Sequence, residues 1–194
     1  MWYPVASLRS TSSGEFTRFW GGLYKYDNPE LYDRNIGKLL TRERVLDLFA
    51  WKNGRRLSER KMQTVERHFL SRLAENADFS DDSKAKDFLE QYDSDGVIWR
   101  IFFLHICLPE KFPIFDQHVY RAMKAIQTGT PMELPNAQRR IVAIYLNDYC
   151  PFHADMGGIG RQVDKALWTF GRFIKAYRSL GSWRSSQVIK SNLR

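Results

Sequence analysis

The segment Phe112-Pro113-Ile114-Phe115-Asp116-Gln117-His118-Val119-Tyr120-Arg121-Ala122-Met123 decides how the rest of the chain is read. A hydrophobic run ends in Pro-Ile-Phe, and a lone acid then stands at the mouth of an amphipathic helix expected over Gln117 to about Gln127. A carboxylate in that position is fixed beside helix N–H groups. Those groups and the helix dipole favour its ionised form and lower its pKa. An aspartate that merely caps a helix, worth about 1 kcal/mol, has the same pattern.

Outward from this segment the spacing is helical, and no strong period-2 alternation points to strands. Val97 to Leu108 is apolar nearly all round, as expected of a helix buried at the centre of a bundle, and Pro109 ends it. Thr41 can cap a helix carrying Val45, Leu46, Leu48, Phe49 and Trp51, which Asn53-Gly54 closes. Ser58 can cap the next, with Met62, Val65, Phe69 and Leu73 on one stripe, and Ser83 opens a third with Phe88, Leu89 and Tyr92. Past the Asp116 helix, a further helix spans about Asn136 to Asp148. The last starts near Arg161 and carries Val163, Leu167, Phe170, Ile174 and Tyr177. Residues 1 to about 20 read as a packed-down arm and residues 179–194 as a polar, basic tail. The expectation is one all-α domain over residues 1–194, with a cleft.

The 194 residues are 43% hydrophobic and include thirteen Phe, nine Tyr and six Trp, ample for a core with aromatic rings to spare. The start, Met-Trp-Tyr-Pro-Val-Ala-Ser, lacks a basic region followed by an apolar run, so no secretory leader is expected. The longest apolar stretch falls short of the roughly 20 residues of a membrane span and holds Arg100 and His105. A cytoplasmic monomer is therefore expected. Cys107 and Cys150 cannot supply the four thiolates of an iron–sulfur cluster, and Cys150 with His153 does not make a zinc site. No metal or cofactor is expected.

The net charge is +8 and unevenly spread. Eight acids between Glu75 and Asp95 face only Lys84 and Lys86, a local −6 that leaves +14 on the remainder. Arg55, Arg56, Arg60, Lys61 and Arg67 form one basic group; Arg161, Arg172, Lys175, Arg178, Arg184, Lys190 and Arg194 form another. A basic face opposite an acidic back suits a polyanion such as nucleic acid.

The Asp116-Gln-His118-Val-Tyr-Arg121 segment, with the long apolar helix before it, resembles the Asp-x-His-[Val/Ile]-x-Arg region of the helix-hairpin-helix (HhH-GPD) DNA glycosylases. Arg161-Gln-Val-Asp164-Lys-Ala-Leu-Trp168-x-Phe-Gly171-Arg is similar to the closing helix of bacterial proteins with the 8-oxoguanine-DNA-glycosylase fold. The resemblance implies a base-excising enzyme acting on double-stranded DNA that carries a modified base, with Asp116 as the catalytic residue. The substrate class would be a damaged base such as 8-oxoguanine or, in antiphage relatives, a hypermodified cytosine of phage DNA. Breaking an N-glycosidic bond builds positive charge on the sugar, which a fixed carboxylate stabilises while orienting water.

Two departures sharpen that expectation. The family's Gly-x-Gly hairpin, which grips a phosphate through backbone N–H groups, is reduced to Asp95-Gly96-Val97, a degenerate hairpin. Bifunctional members carry a nucleophilic lysine about eighteen residues before the Asp, where this chain has Ile98. A monofunctional hydrolase without lyase activity is expected; the alternative is an amine from Lys84 or Lys86, further upstream, brought in by a rearranged hairpin. Gly157, Gly158, Gly160 and Arg161 offer a second backbone grip, with Arg121 also phosphate-facing or structural. Trp51, Trp99, Trp168 and Phe170 are candidate pocket walls, Asn53 and Gln117 candidate readers of base edges, and His118 a support; His105 reads as a satisfied core histidine. The competing expectation is a DNA-binding module of the same fold in which Asp116 only caps.

Overall fold

The computed structural model describes residues 12–74, 78–91, 96–157 and 161–179, and among these every regular element is a helix. In chain order they are α1 (Ser13–Gly22), α2 (Pro29–Asp33), α3 (Arg42–Asn53), α4 (Glu59–Val65), α5 (Ser71–Ala74), α6 (Asp82–Leu89), α7 (Val97–Cys107), α8 (Gln117–Thr128), α9 (Gln138–Ala143), α10 (Cys150–Asp155) and α11 (Arg161–Ser179). Two π-helical stretches, Glu66–Leu70 and Ile144–Tyr149, join α4 to α5 and α9 to α10. No helix among the described residues is long and apolar enough to cross a membrane.

The helix starts follow their capping chemistry. Thr41 and Ser58 accept bonds from the N–H groups of Arg44 and Lys61, and Gly54 closes α3 at a φ of 70°. The α6 start differs from expectation: Asp81, not Ser83, is the cap, because its carboxylate accepts from both Ser83 N and Lys84 N. Ser83 sits inside the first turn, and Tyr92 lies outside the described residues. The helix expected to stop near Asp148 runs on through the π-helical stretch into α10.

Of the expected N-terminal arm, residues 1–11 lie outside the described residues, and the rest is corrected. Ser13–Gly22 form α1, capped by Ser12, with Phe16 and Trp20 one turn apart on the face that meets Phe170 of α11. Two rings at a single helical spacing are too short a signal to read as a helix from sequence. Of the tail, only Ser179 is described, as the end of α11.

The core is centred on α7, whose Ile101, Phe102, Phe103 and Leu104 are fully buried. Phe49 of α3 packs edge-on to Phe102 at 5.4 Å, and Phe69 meets Phe103 at 5.1 Å. A second layer forms where α11 runs along both α1 and α8. The α8–α11 crossing is backbone on backbone: a Cβ on Gly171 would lie 2.0 Å from the His118 carbonyl oxygen. Only glycine permits that approach, and it brings Trp168, one turn earlier on α11, against the first turn of α8. One contiguous cluster of buried side chains joins both layers.

Candidate active site around Asp116

The turn before Asp116 is held carbonyl by carbonyl. The His105 imidazole donates from Nδ1 to the Phe112 carbonyl at 2.7 Å. The hydroxyls of Tyr145 and Tyr149 donate to the carbonyls of Pro113 (3.1 Å) and Ile114 (2.9 Å). Lys52 Nζ donates to the Phe115 carbonyl at 3.2 Å. Four consecutive peptide oxygens thus have four separate side-chain donors, which satisfies buried acceptors that a turn cannot pair within itself. Tyr145 and Tyr149 both come from the π-helical stretch, whose widened turn supplies them. With Nδ1 donating, His105 Nε2 is left to accept from the Tyr32 hydroxyl at 2.6 Å, so His105 is the satisfied core histidine expected.

Asp116 then caps α8 with its backbone extended, and its Oδ1 accepts from His118 N at 2.7 Å and Val119 N at 3.1 Å. Its Oδ2 lies 3.5 Å from Lys52 Nζ, whose side chain is only 9% exposed. Burial raises the Asp116 pKa, but Lys52, His118 and the two N–H donors outweigh it and hold the carboxyl below its ordinary value. Asp116 is therefore an ionised, rigidly aimed carboxylate, suited to stabilising positive charge. Beside it lies a cavity of about 30 Å³ walled by Tyr24, Tyr26, Trp51 and Trp168, with Lys52, Arg161, Asp164 and Lys165 also on its border. Burial pushes the Tyr26 phenol up to about 12 and raises Tyr24 as well, so both rings stay neutral. The volume suits one water molecule.

Arg161 separates this cavity from a larger one of about 650 Å³ that also reaches Tyr32, His153, Cys150 and Asp164. Its guanidinium lies 3.9 Å from the Tyr32 ring centroid and 4.9 Å from that of Trp51. It also donates to Asp33 Oδ1 at 2.5 Å and to the Tyr24 hydroxyl at 3.1 Å. Arg161 was expected on the DNA backbone; it is instead committed to an internal aromatic and acidic cage. Asp164, almost fully buried, borders both cavities. Its Oδ1 faces the Tyr149 hydroxyl at 3.4 Å and His153 Nε2 at 3.2 Å.

The other expected residues divide clearly. Trp51 and Trp168 do border the Asp116 cavity. His118 packs its ring edge against Trp168 at 5.7 Å, and its Nδ1 accepts from Arg121 at 3.2 Å. Burial lowers its pKa, with Asp116 opposing and Arg121, Lys175 and Arg172 adding to the fall. Arg121, expected to be structural or phosphate-facing, has a side chain 1% exposed that pairs with Glu133 at 2.8 Å. Gln117 is exposed and turned to Glu133, while Asn53 bonds the Arg55 carbonyl and Lys61, so neither reads a base in this arrangement. Trp99 and Phe170 pack against the core, on Phe49 and on Phe16 with Trp20. Gly96 opens α7 at a φ of 81° and does not border the Asp116 cavity. Gly158 and Gly160 lie outside the described residues. Lys84 and Lys86 are exposed on α6 and border neither cavity.

The amine beside Asp116 is Lys52, and sequence reasoning missed it. The signal was present: on α3 the buried positions Val45, Leu48 and Phe49 place residue 52 on the same stripe. A lysine on an apolar stripe needs a buried partner, and Asp116 is that partner. Cys107 and Cys150 are free thiols, both pushed up to about 12 by burial, and no group of three or more potential metal ligands occurs among the described residues. Compared with family models, with curated proteins and with solved structures, the chain matches none.

Proposed function

We propose that the protein is a DNA N-glycosylase that hydrolyses the bond between a modified base and its sugar, and that its helices form a glycosylase-like domain of the helix-hairpin-helix kind. The observation that carries this reading is the ionised Asp116, clamped by four bonded carbonyls and two N–H donors, at the rim of an aromatic-walled cavity. As the C1′–N bond breaks, its electron pair leaves with the base. The oxocarbenium charge on the sugar meets the Asp116 carboxylate, water adds to C1′, and the proton that this water loses balances the charge of the departing base, leaving neutral base and an abasic sugar. Neutral rings of Tyr24, Tyr26, Trp51 and Trp168 provide stacking faces for a planar base. At about 30 Å³ the cavity admits no base as it stands, so entry requires the half-buried outer rings to move.

Lys52 supports a second reading of the same site. Ion-paired as an ammonium, it steadies Asp116 and is not a nucleophile; deprotonated, its amine would attack C1′ and lead to strand cleavage. Wild-type protein, Asp116→Asn and Lys52→Ala should be compared on duplexes carrying 8-oxoguanine and on phage DNA with hypermodified cytosine. Hydrolysis predicts released base, strand breaks only after alkali, and roughly 10²- to 10³-fold slower release by Asp116→Asn with DNA binding retained. Nicking without alkali, together with a borohydride-trapped complex lost in Lys52→Ala, assigns the amine as nucleophile. DNA binding without release of any base by the wild type leaves a non-catalytic DNA-binding module and sinks the glycosylase reading.

A further inference from the structure

Two largely buried side chains that border the Asp116 cavity carry polar atoms of opposite type without a hydrogen bond. The Trp51 indole Nε1 is a donor on a side chain 5% exposed, with no hydrogen bond. Asp164 Oδ2 is an acceptor: the Tyr149 hydroxyl and His153 Nε2 both face Oδ1. Both residues border the cavity, and Asp164 also stands on the wall shared with the 650 Å³ cavity. Buried groups of this kind are costly unless a ligand completes them. The rings of Tyr24, Tyr26 and Trp168 on the same border call for a planar ligand.

Resting on the glycosylase reading, we propose that Asp164 and Trp51 select the base: the pocket takes amino-bearing bases and rejects their oxo counterparts. A carboxylate oxygen accepts from an exocyclic amino group, as on cytosine N4, guanine N2 or adenine N6. An indole N–H donates to the ring nitrogen or carbonyl that adjoins such an amino group. Uracil- and thymine-type bases present carbonyl oxygens where the amino group would be, and two acceptors facing each other repel. Hypoxanthine lacks the guanine amino group altogether. A base that passes Asp116 has to displace the outer rings or the Arg161 side chain between the two cavities. In either direction Asp164 lies on its wall.

The test uses matched pairs. Excision is measured on duplexes carrying a modified cytosine or its deaminated uracil counterpart, and on 8-oxoguanine against 8-oxohypoxanthine, with wild type and Asp164→Asn. Binding of the corresponding free nucleobases is followed in parallel by quenching of tryptophan fluorescence. The expected result is a preference of roughly 10- to 100-fold for the amino member of each pair, reduced to near parity in Asp164→Asn. The base-side comparison leaves the protein untouched, so it stands even if Asp164→Asn fails to fold. Equal or greater excision of the member without the amino group overturns the proposal and leaves the glycosylase reading in place. Should nothing be excised, that reading falls. Free-base binding then decides: amino selectivity lost in Asp164→Asn supports the pocket assignment, and no binding or no selectivity overturns it.

Discussion

His105 is 2% exposed, and its two ring nitrogens are used up by the Phe112 carbonyl and the Tyr32 hydroxyl. Burial lowers its pKa from 6.5 to about 4, with Lys52 and Arg161 adding to the fall and Asp164 and the Phe112 carbonyl opposing it. Between those two values the unfolded chain binds a proton that the folded chain refuses. Stability from this group is therefore fully present above about pH 6.5 and is lost as pH falls towards 4. The displacement corresponds to about 3 kcal/mol. Urea unfolding should show the wild type losing stability steeply between about pH 7 and about pH 4.5, and His105→Gln losing distinctly less. Parallel profiles would mean that other groups set the acid limit. The same clamp fixes the peptide ahead of Asp116, so His105→Gln is also expected to slow base release without touching DNA.

At the scale of helices, the contact that sets the site is the crossing of α8 and α11 at Gly171. Gly171→Ala would drive a Cβ into the His118 carbonyl, which belongs to helix backbone and cannot swing aside. The helices must separate, at about 1–3 kcal/mol or more. A fall in melting temperature with a red-shifted tryptophan emission, reporting exposure of Trp168, is the expected pair of changes; an unchanged melt would place the strain elsewhere. This close approach was not legible in the sequence, because a lone helical glycine carries no sign of what it touches. α7 and α8 were legible, since a long, mostly apolar run, Pro109, the Asp116 cap and Gly129 mark their ends. The partners of Arg121 and Arg161 were not legible for one reason: a cation's partner is invisible until the chain folds. Glu133 lies 12 residues from Arg121, and Asp33 lies 128 residues from Arg161. Lys52 was legible in principle, as a cation on the apolar stripe of α3. Asp164 gives no signal of its own in the sequence, since Tyr149 and His153 meet it only in the folded chain.

Across the whole molecule the charges divide by element. α6, with Asp81 at its cap and Glu90 at its end, packs on α7, whereas the cavity lies among α3, α8 and α11. With Arg161 and Arg121 committed inside, DNA binding as proposed would have to use cations still at the surface near the cavity. Lys165 borders it, Arg172 lies 4.8 Å over the Trp168 ring, and Arg172 and Lys175 both act on His118. Arg172 and Lys175 are exposed. If these side chains meet phosphates, each contact releases a counterion, and the logarithm of affinity falls with the logarithm of salt by about 0.9 per contact. The double variant Arg172→Ala with Lys175→Ala should bind duplex DNA more weakly at low salt and lower the slope by roughly 2. Fluorescence polarisation with a labelled, unmodified duplex measures this without catalysis, so it is independent of Asp116. Arg161→Ala, by contrast, should leave the slope unchanged and lower the melting temperature, because its cation is already matched by Asp33 and the surrounding rings. A slope that drops for Arg161→Ala and not for the double variant would move the DNA-binding face away from the outer surface of α11.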